Sequence, residues 1–484
     1  MKRFVCFFAV CALALCLFGL FACAQGEEEE ALYPIRENGL WGYMNRAGET
    51  VIAPKWDKAR LFYGKTAMVS LFQGKDAPVW QQFFLDGIID RSGAYLVPPR
   101  AGWDIMDEGH IFSIKSETGG KGFVDQASGF YLPPREEYRY IYDDGGDGLG
   151  PVAVENDEKQ IGYLSRTTGE VVLPFRYGAF LTDETGYFVN GCALLADGVY
   201  PLEEGDADPV FYLIDAKGER IPFPDGMMPV SCVWSDRVVV MGLDEENEWL
   251  FTYGLAKTDG TVIIEPSEEY QYIWPPDDEG MVCFMSEDWR LGHMDRDGHV
   301  IVPPRYRIVE DDWVPYFFRN GYAVIENSVD DTGDEARWVI LTPDGREIFS
   351  EPREQADGGE FRLGSEVQPG GLLWYQRNDR YGLMRVQDDR VEFLTEAVFE
   401  GDRHLMTDDD PQMTWLPMDM EFSEGLYRVK LNGLWGYIDE NGQWAIPPQY
   451  DSARNFRDSL ALVKRGGKFM YIDHDENIVW QEKD

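Results

Sequence analysis

Short apolar runs recur along this chain, each closed by Gly, Asn, Asp or Pro, and amphipathic helical periodicity is hard to find beyond the N-terminal segment. The clearest stretch runs from Glu424 to Asp451. Leu426 to Leu431 is β-prone, and Asn432-Gly433 follows, a pair that tolerates the positive φ of a tight hairpin. Trp435 to Asp439 is a second run. Asp439-Glu440-Asn441-Gly442 then has the Asp-first, Gly-fourth preference of a type I turn. Gln443 to Ile446 is the third run, and Pro447-Pro448 is expected to end it, because proline cannot donate to a ladder. The pattern predicts a three-stranded antiparallel meander, too small to be stable without neighbours.

Degenerate copies of this unit fill the chain. Aligned on Gly436, they place glycines at Gly42, Gly87, Gly122, Gly162, Gly254, Gly292 and Gly382, with Tyr212, Val339 and Met470 in three further copies. Eleven units result, spaced about 43 residues apart. The turn after the anchor recurs as Asn45-Arg46-Ala47-Gly48, Asp90-Arg91-Ser92-Gly93, Asp215-Ala216-Lys217-Gly218, Asp295-Arg296-Asp297-Gly298 and Thr342-Pro343-Asp344-Gly345. Versions one residue longer begin at Asp125 and Ser165. A small residue recurs in the first run, at Ala67, Ala153, Ala193, Ala323 and Ala461, which suggests close packing between units. A glycine repeated inside a strand marks a bulge or a close backbone approach.

The segments Asn38-Gly39-Leu40-Trp41-Gly42-Tyr43 and Asn432-Gly433-Leu434-Trp435-Gly436-Tyr437-Ile438-Asp439, with Ile446-Pro447-Pro448-Gln449-Tyr450-Asp451 downstream, resemble the WG (KWG) repeat of bacterial proteins. The resemblance covers roughly residues 33–480 and is weak between about 350 and 420. Most inner copies lack the tryptophan and carry Asp86, Lys121, Ile161, Tyr253, Leu291 or Tyr381 in its place. That family is β-rich and largely without assigned biochemistry. Its exported members imply a role in interactions, and it has no catalytic residues to carry over.

The expected fold is therefore all-β: a tandem array of about eleven three-stranded meanders over 33–484. It closes into β-propeller-like rings or stacks as an open, solenoid-like superhelix. No unit at either end clearly completes the other, which leans toward the open form. Trp435, whose equivalents include Asp86 and Lys121, is expected to be half-buried at a unit junction.

The N-terminus carries a different signal. Lys2 and Arg3 precede an uncharged run from Phe4 to Ala22, and Glu27 to Glu30 follow. This is a secretory pattern, assigning 1–24 to a signal peptide and 25–32 to an acidic linker. Ala22-Cys23-Ala24 suits ordinary cleavage after Ala24. Leu20-Phe21-Ala22-Cys23 resembles a lipobox, which would lipidate Cys23. Of the seven cysteines, Cys192, Cys232 and Cys283 would remain, so disulfides do not build this fold.

With 44 basic and 87 acidic residues the net charge is −43, which argues against nucleic acid and against anionic membrane surfaces, and favours solubility. Any membrane attachment runs through the signal or a lipid anchor. Neither cofactor nor metal is expected. His110, His293, His299, His404 and His474 form no zinc pattern, although His293 and His299 flank one hairpin. Asp295-Arg296-Asp297-Gly298 and Asp143-Asp144-Gly145-Gly146-Asp147-Gly148 have fragments of calcium loops without the full spacing. No catalytic motif is found, and no binding residue can be singled out. These features point to an exported, secreted or lipid-anchored, non-enzymatic repeat protein. It would bind a protein, glycan or cell-wall polymer through exposed aromatics on insertion loops. The alternative is a secreted hydrolase, such as a glycosidase with two carboxyls in a deep pocket.

Overall fold

A computed structural model of the chain describes residues 30–483, apart from 75–83, 143–147, 179–185, 198–209, 232, 234–235, 243–251, 278, 308–315, 329–335, 357 and 402–421. It is a β-propeller of eleven antiparallel blades in chain order. They span 33–56, 58–97, 104–135, 138–177, 188–215, 227–267, 270–306, 318–352, 361–400, 422–450 and 452–481. Most blades have four strands rather than the expected three. The addition is a short first strand, as little as Lys58–Ala59 or Ser452–Ala453, too brief to leave a hydrophobic pattern. Among the described residues, blades 1 and 5 have three strands.

The turns form as their residues dictate. Asn38 and Gly39, and Asn432 and Gly433, all have positive φ and join strands two residues apart, as a type I′ turn demands. In the next turn the leading side chain holds the loop shut. Asn45 Oδ1 accepts from the N–H groups of Ala47 and Glu49, and Asp439 Oδ1 does the same for Asn441 and Gln443. At Asp125 and Ser165 the closing bond spans one residue more, to Gly129 and Gly169.

The anchor glycine is explained by its neighbour strand. A Cβ on Gly436 would lie 2.6 Å from Ile446 O and 2.7 Å from Pro448 N. On Gly42 it would lie 2.4 Å from Ile52 O. At both places the fourth strand bulges, with a register shift between the residues flanking the glycine. The prolines sit in that bulge and do not end the strand. Trp444–Tyr450 runs through Pro447 and Pro448, because a bulged edge strand needs no N–H there. The units without the glycine also lack this bulge. No register shift falls beside Val339 or Met470, and among the described residues blade 5 has no fourth strand opposite Tyr212.

The apolar cores lie between blades. Tyr437, Ile446 and Tyr450 of blade 10 pack with Phe456, Val463 and Ile472 of blade 11. Ile161 and Tyr163 of blade 4 pack with Leu195 and Ile214 of blade 5. The recurrent alanines Ala67, Ala153, Ala193, Ala323 and Ala461 are all buried in such clusters. The strand that carries the anchor glycine lies against the first strand of the next blade, as in blades 1 and 2 or 10 and 11.

The ring closes, contrary to the lean toward an open stack. Tyr33, Ile35 and Trp41 of blade 1 share a core with Leu462, Phe469, Tyr471 and Trp480 of blade 11. Tyr33 donates to Asp458 O, and Arg46 pairs with Ser459. No short-range pattern could announce this contact, since it joins residues more than 400 positions apart.

Trp435 is buried, 6% exposed, against blade 11 rather than half-buried. Trp435→Ala should therefore carry the full cost of a core aromatic, about 3–5 kcal/mol in equilibrium denaturation. Gly436→Ala should cost about 1–3 kcal/mol, because its Cβ meets backbone that cannot swing away. Gly433→Ala, with open space but φ of 80°, should cost less.

Candidate functional site

The junction between blades carries most of the buried polar chemistry. The residue after the anchor glycine is often tyrosine, and its hydroxyl crosses to the next blade. Tyr43 donates to Arg60 O at 2.7 Å, Tyr163 to Gly186 O at 2.7 Å, and Tyr437 to Arg454 O at 2.6 Å. At the closure Tyr471 donates to Pro34 O at 3.0 Å. Blade 7 uses a histidine instead: His293 Nε2 lies 2.6 Å from Tyr316 O of the next blade. A carbonyl only accepts, so Nε2 carries the proton. Nδ1 is buried and without a partner, and burial pushes the imidazole down to about 4. These straps are functional parts of the ring that the reading of the chain missed, although the recurring Gly-Tyr pair was visible.

The buried carboxylates also link blades or shape turns. Asp277 accepts from the N–H groups of Met281 and Glu279 in its own blade and of Phe318 in the next, at 2.7–3.0 Å. Asp125 accepts from Ser128 and faces Arg166 of the following blade at 3.3 Å. Arg237 of blade 6 reaches Asp297 and Arg296 O of blade 7.

At the Asp86, Lys121 and Tyr253 junctions the position before the glycine is half-open instead. Lys121 lies 5.9 Å from the ring of Tyr140, a residue of the next blade that is 48% exposed. Arg139 approaches the same ring at 5.8 Å, and Tyr142 stands 5.9 Å away. Tyr253 packs at 4.8 Å on Tyr272, which meets Trp274 at 4.7 Å. Asp86 accepts from Ser70 Oγ, and burial raises its carboxyl. The identity of this residue varies because its neighbour is the short first strand of the next blade, whose cover differs from junction to junction.

A cavity of about 240 Å³ lies at the closure, lined by Leu32 and Tyr33, the Leu61–Gly64 loop of blade 2, and Arg457, Asp458 and Tyr471 of blade 11, with Arg91. It offers one carboxyl and two guanidiniums, not the carboxyl pair a glycosidase requires.

Cys23 and Ala24 lie outside the described residues, as do Cys232, His404 and residues 143–147 of the second acidic run. Cys192 and Cys283 are free thiols in blades 5 and 7, and burial pushes the Cys283 thiol up to about 12. His293 and His299 do not meet: His299 is exposed and bonds Asp295. Asp295 to Gly298 is a closed turn, its Oδ1 accepting from Asp297 and His299 N–H. Among the described residues no group of three His, Cys, Asp or Glu is placed to hold a metal ion.

A family model described as "WG containing repeat" matches residues 41–71, 253–288, 420–435 and 435–469. The chain contains WG repeats. Three of these matches begin in the strand that carries the anchor glycine of one blade and end in the next blade, so the WG repeat is a blade junction rather than a blade. No curated protein matches the sequence. Among solved structures, a eukaryotic initiation factor aligns at 11% identity over 68% of this chain and 89% of that one, with a TM-score of 0.35. Oligogalacturonate lyase in complex with manganese aligns at 11% over 65% and 97%, with a TM-score of 0.30. BamB from Moraxella catarrhalis aligns at 12% over 72% and 94%, with a TM-score of 0.23. Superpositions this loose carry no argument about function.

The His293 junction should be acid-sensitive. The unfolded imidazole takes its proton near 6.5 and the folded one near 4, so stability falls as pH drops through that window and levels off below it. The loss should reach about 3 kcal/mol. Asp277 works in the opposite sense, since burial raises its carboxyl. The slope is therefore read as a difference: urea titrations of His293→Tyr, the residue used at equivalent junctions, should lack it.

Proposed function

We propose that this WG-repeat protein is an exported, non-enzymatic binding ring that engages a protein, glycan or cell-wall polymer at the cell surface. The observation that carries the reading is the contrast between junctions. Most spend their polar and aromatic groups on the neighbouring blade. Lys121–Tyr140–Arg139 and Tyr253–Tyr272 leave aromatic faces, one of them flanked by cations, partly open to solvent. Such faces suit stacking on sugar rings or on side chains of a partner. Export rests on Lys2, Arg3 and the apolar run to Ala22, with Cys23 or Ala24 defining the mature N-terminus. The insertion-loop aromatics expected as contacts fall largely outside the described residues.

Tyr140→Ala and Tyr253→Ala should weaken retention on purified cell wall or on a glycan array about tenfold, as loss of a stacked aromatic does, with the melting temperature nearly unchanged. Binding unchanged in both variants would remove these faces from the reading. Mass spectrometry of membrane and medium fractions should find a lipidated Cys23 or a free Gln25. Protein retaining Met1 in the cytoplasm would refute export.

A further inference from the structure

At the junction of blades 3 and 4 a cation stands where packing favours an apolar side chain. The position before the anchor glycine is buried and apolar at Trp41, Ile161, Leu291 and Trp435. Lys121 fills it in blade 3 and is only half-buried. Its cross-strand partners are cations too, Lys115 on one side and Arg135 on the other. Like charges directly opposite one another destabilise a sheet. Burial, and after it the Lys115 ammonium, hold the Lys121 ammonium below the usual lysine range, with Asp104 and Glu108 opposing. Arg135 is matched with Glu137 at 3.9 Å and Arg139 with Glu155 at 3.5 Å. Lys121 forms no ion pair among the described residues. Packing alone gives no reason for this charge.

The aromatic beside it is set for a flat ligand. Tyr140 is 48% exposed. Arg139, Lys121 and Tyr142 stand 5.8–5.9 Å from its ring centroid. Stacked carbon atoms touch at about 3.5–4.0 Å, so these groups flank the ring without filling its open face. A pyranose lays a face of C–H groups on such a surface and holds its substituents outward, over the edge of the aromatic. A carboxylate on that sugar ring would meet Lys121 while the ring lay on Tyr140. We propose that the Lys121–Tyr140 face is a subsite for a uronic-acid unit of an acidic polysaccharide, an inference that rests on the open aromatic faces described above and narrows their ligand.

An acidic peptide would satisfy the lysine but has no flat C–H face for the tyrosine. Position favours a polymer over a single sugar. Tyr140, Tyr253 and Tyr272 all lie at the blade end that carries the hairpin between the second and third strands. Trp289, 53% exposed, sits in that hairpin of blade 7. In a ring of equivalent blades these ends form one rim, so the subsite shares its surface with further stacking groups. The net charge of −43 belongs to the whole chain. At physiological ionic strength exposed charges act over only about 8 Å, so the local cations decide the contact.

The test is calorimetric titration of the whole protein with polyglucuronate and with the same polymer methyl-esterified at its carboxyls. Polyglucuronate should bind about tenfold tighter than its ester, the effect of one hydrogen bond to a charged group. Lys121→Gln should erase that difference and Lys121→Arg should keep it, while Tyr140→Ala should weaken both polymers. Lys121→Gln should melt no lower than the parent protein, because it removes a like-charge pair, so its lost affinity is not lost structure. Equal binding of the two polymers, with Tyr140→Ala still weakening both, would overturn the uronate assignment and leave the aromatic-face reading standing. Binding indifferent to Tyr140→Ala, or no binding of polyglucuronate, would overturn the subsite itself. Displacement of polyglucuronate by polyglutamate or by poly(glycerol phosphate) as effective as by polyglucuronate would also overturn it, making the face a receptor for acidic proteins or for phosphate polymers.

Discussion

The fold depends on one packing event, repeated around the ring: the third and fourth strands of a blade bury their apolar faces against the first two strands of the next. A lone antiparallel sheet of this size has no interior. Every core cluster among the described residues spans a blade boundary, and most of the buried tyrosines there bridge it. Ring closure follows from the same need. An open stack would leave the faces of Trp41 and Tyr471 in water, whereas here each covers the other's blade.

This explains why the WG repeat begins inside a sheet. Selection acts on the pieces that must fit, and those pieces are halves of two blades. The glycine belongs to the same logic. It is needed where the last strand bulges against it, and it disappears at Val339 and Met470, where no register shift falls beside the position. The prolines and the glycine are two sides of one contact, and the prolines also keep the outer edge from pairing with another sheet.

Much of this was legible in the chain. Turn chemistry is local, so Asn-Gly hairpins and Asx-closed turns could be read residue by residue, including the longer versions at Asp125 and Ser165. The short first strands were not, because two residues such as Lys58–Ala59 carry no period. Blade 9 was located by Gly382, but its repeat was weak for a different reason. Its third and fourth strands, Arg380–Gln387 and Arg390–Phe393, are joined by Asp388-Asp389, both at positive φ, in place of the usual four-residue turn. Closure and the tyrosine straps were hidden because their partners are distant carbonyls, which any residue supplies. Among the candidate positions, the acidic turn at Asp295 was readable as a turn. The half-open faces at Tyr140 and Tyr253 were not, since their exposure depends on the blade that follows.

The position before the glycine shows where a ring of this kind has freedom. Next to blade 11 it must be Trp435, because a large apolar face has to be covered. At Lys121 and Asp86 the facing strand leaves water access, and a charged group is tolerated at modest cost because it keeps part of its hydration. A residue that is strictly apolar at closed junctions and variable at open ones is constrained by packing in the first case and released in the second. The open junctions can therefore change their chemistry without disturbing the ring. That separation lets the ring keep its architecture while the chemistry of its open faces varies, and it places that variation at the open junctions rather than at the closed ones.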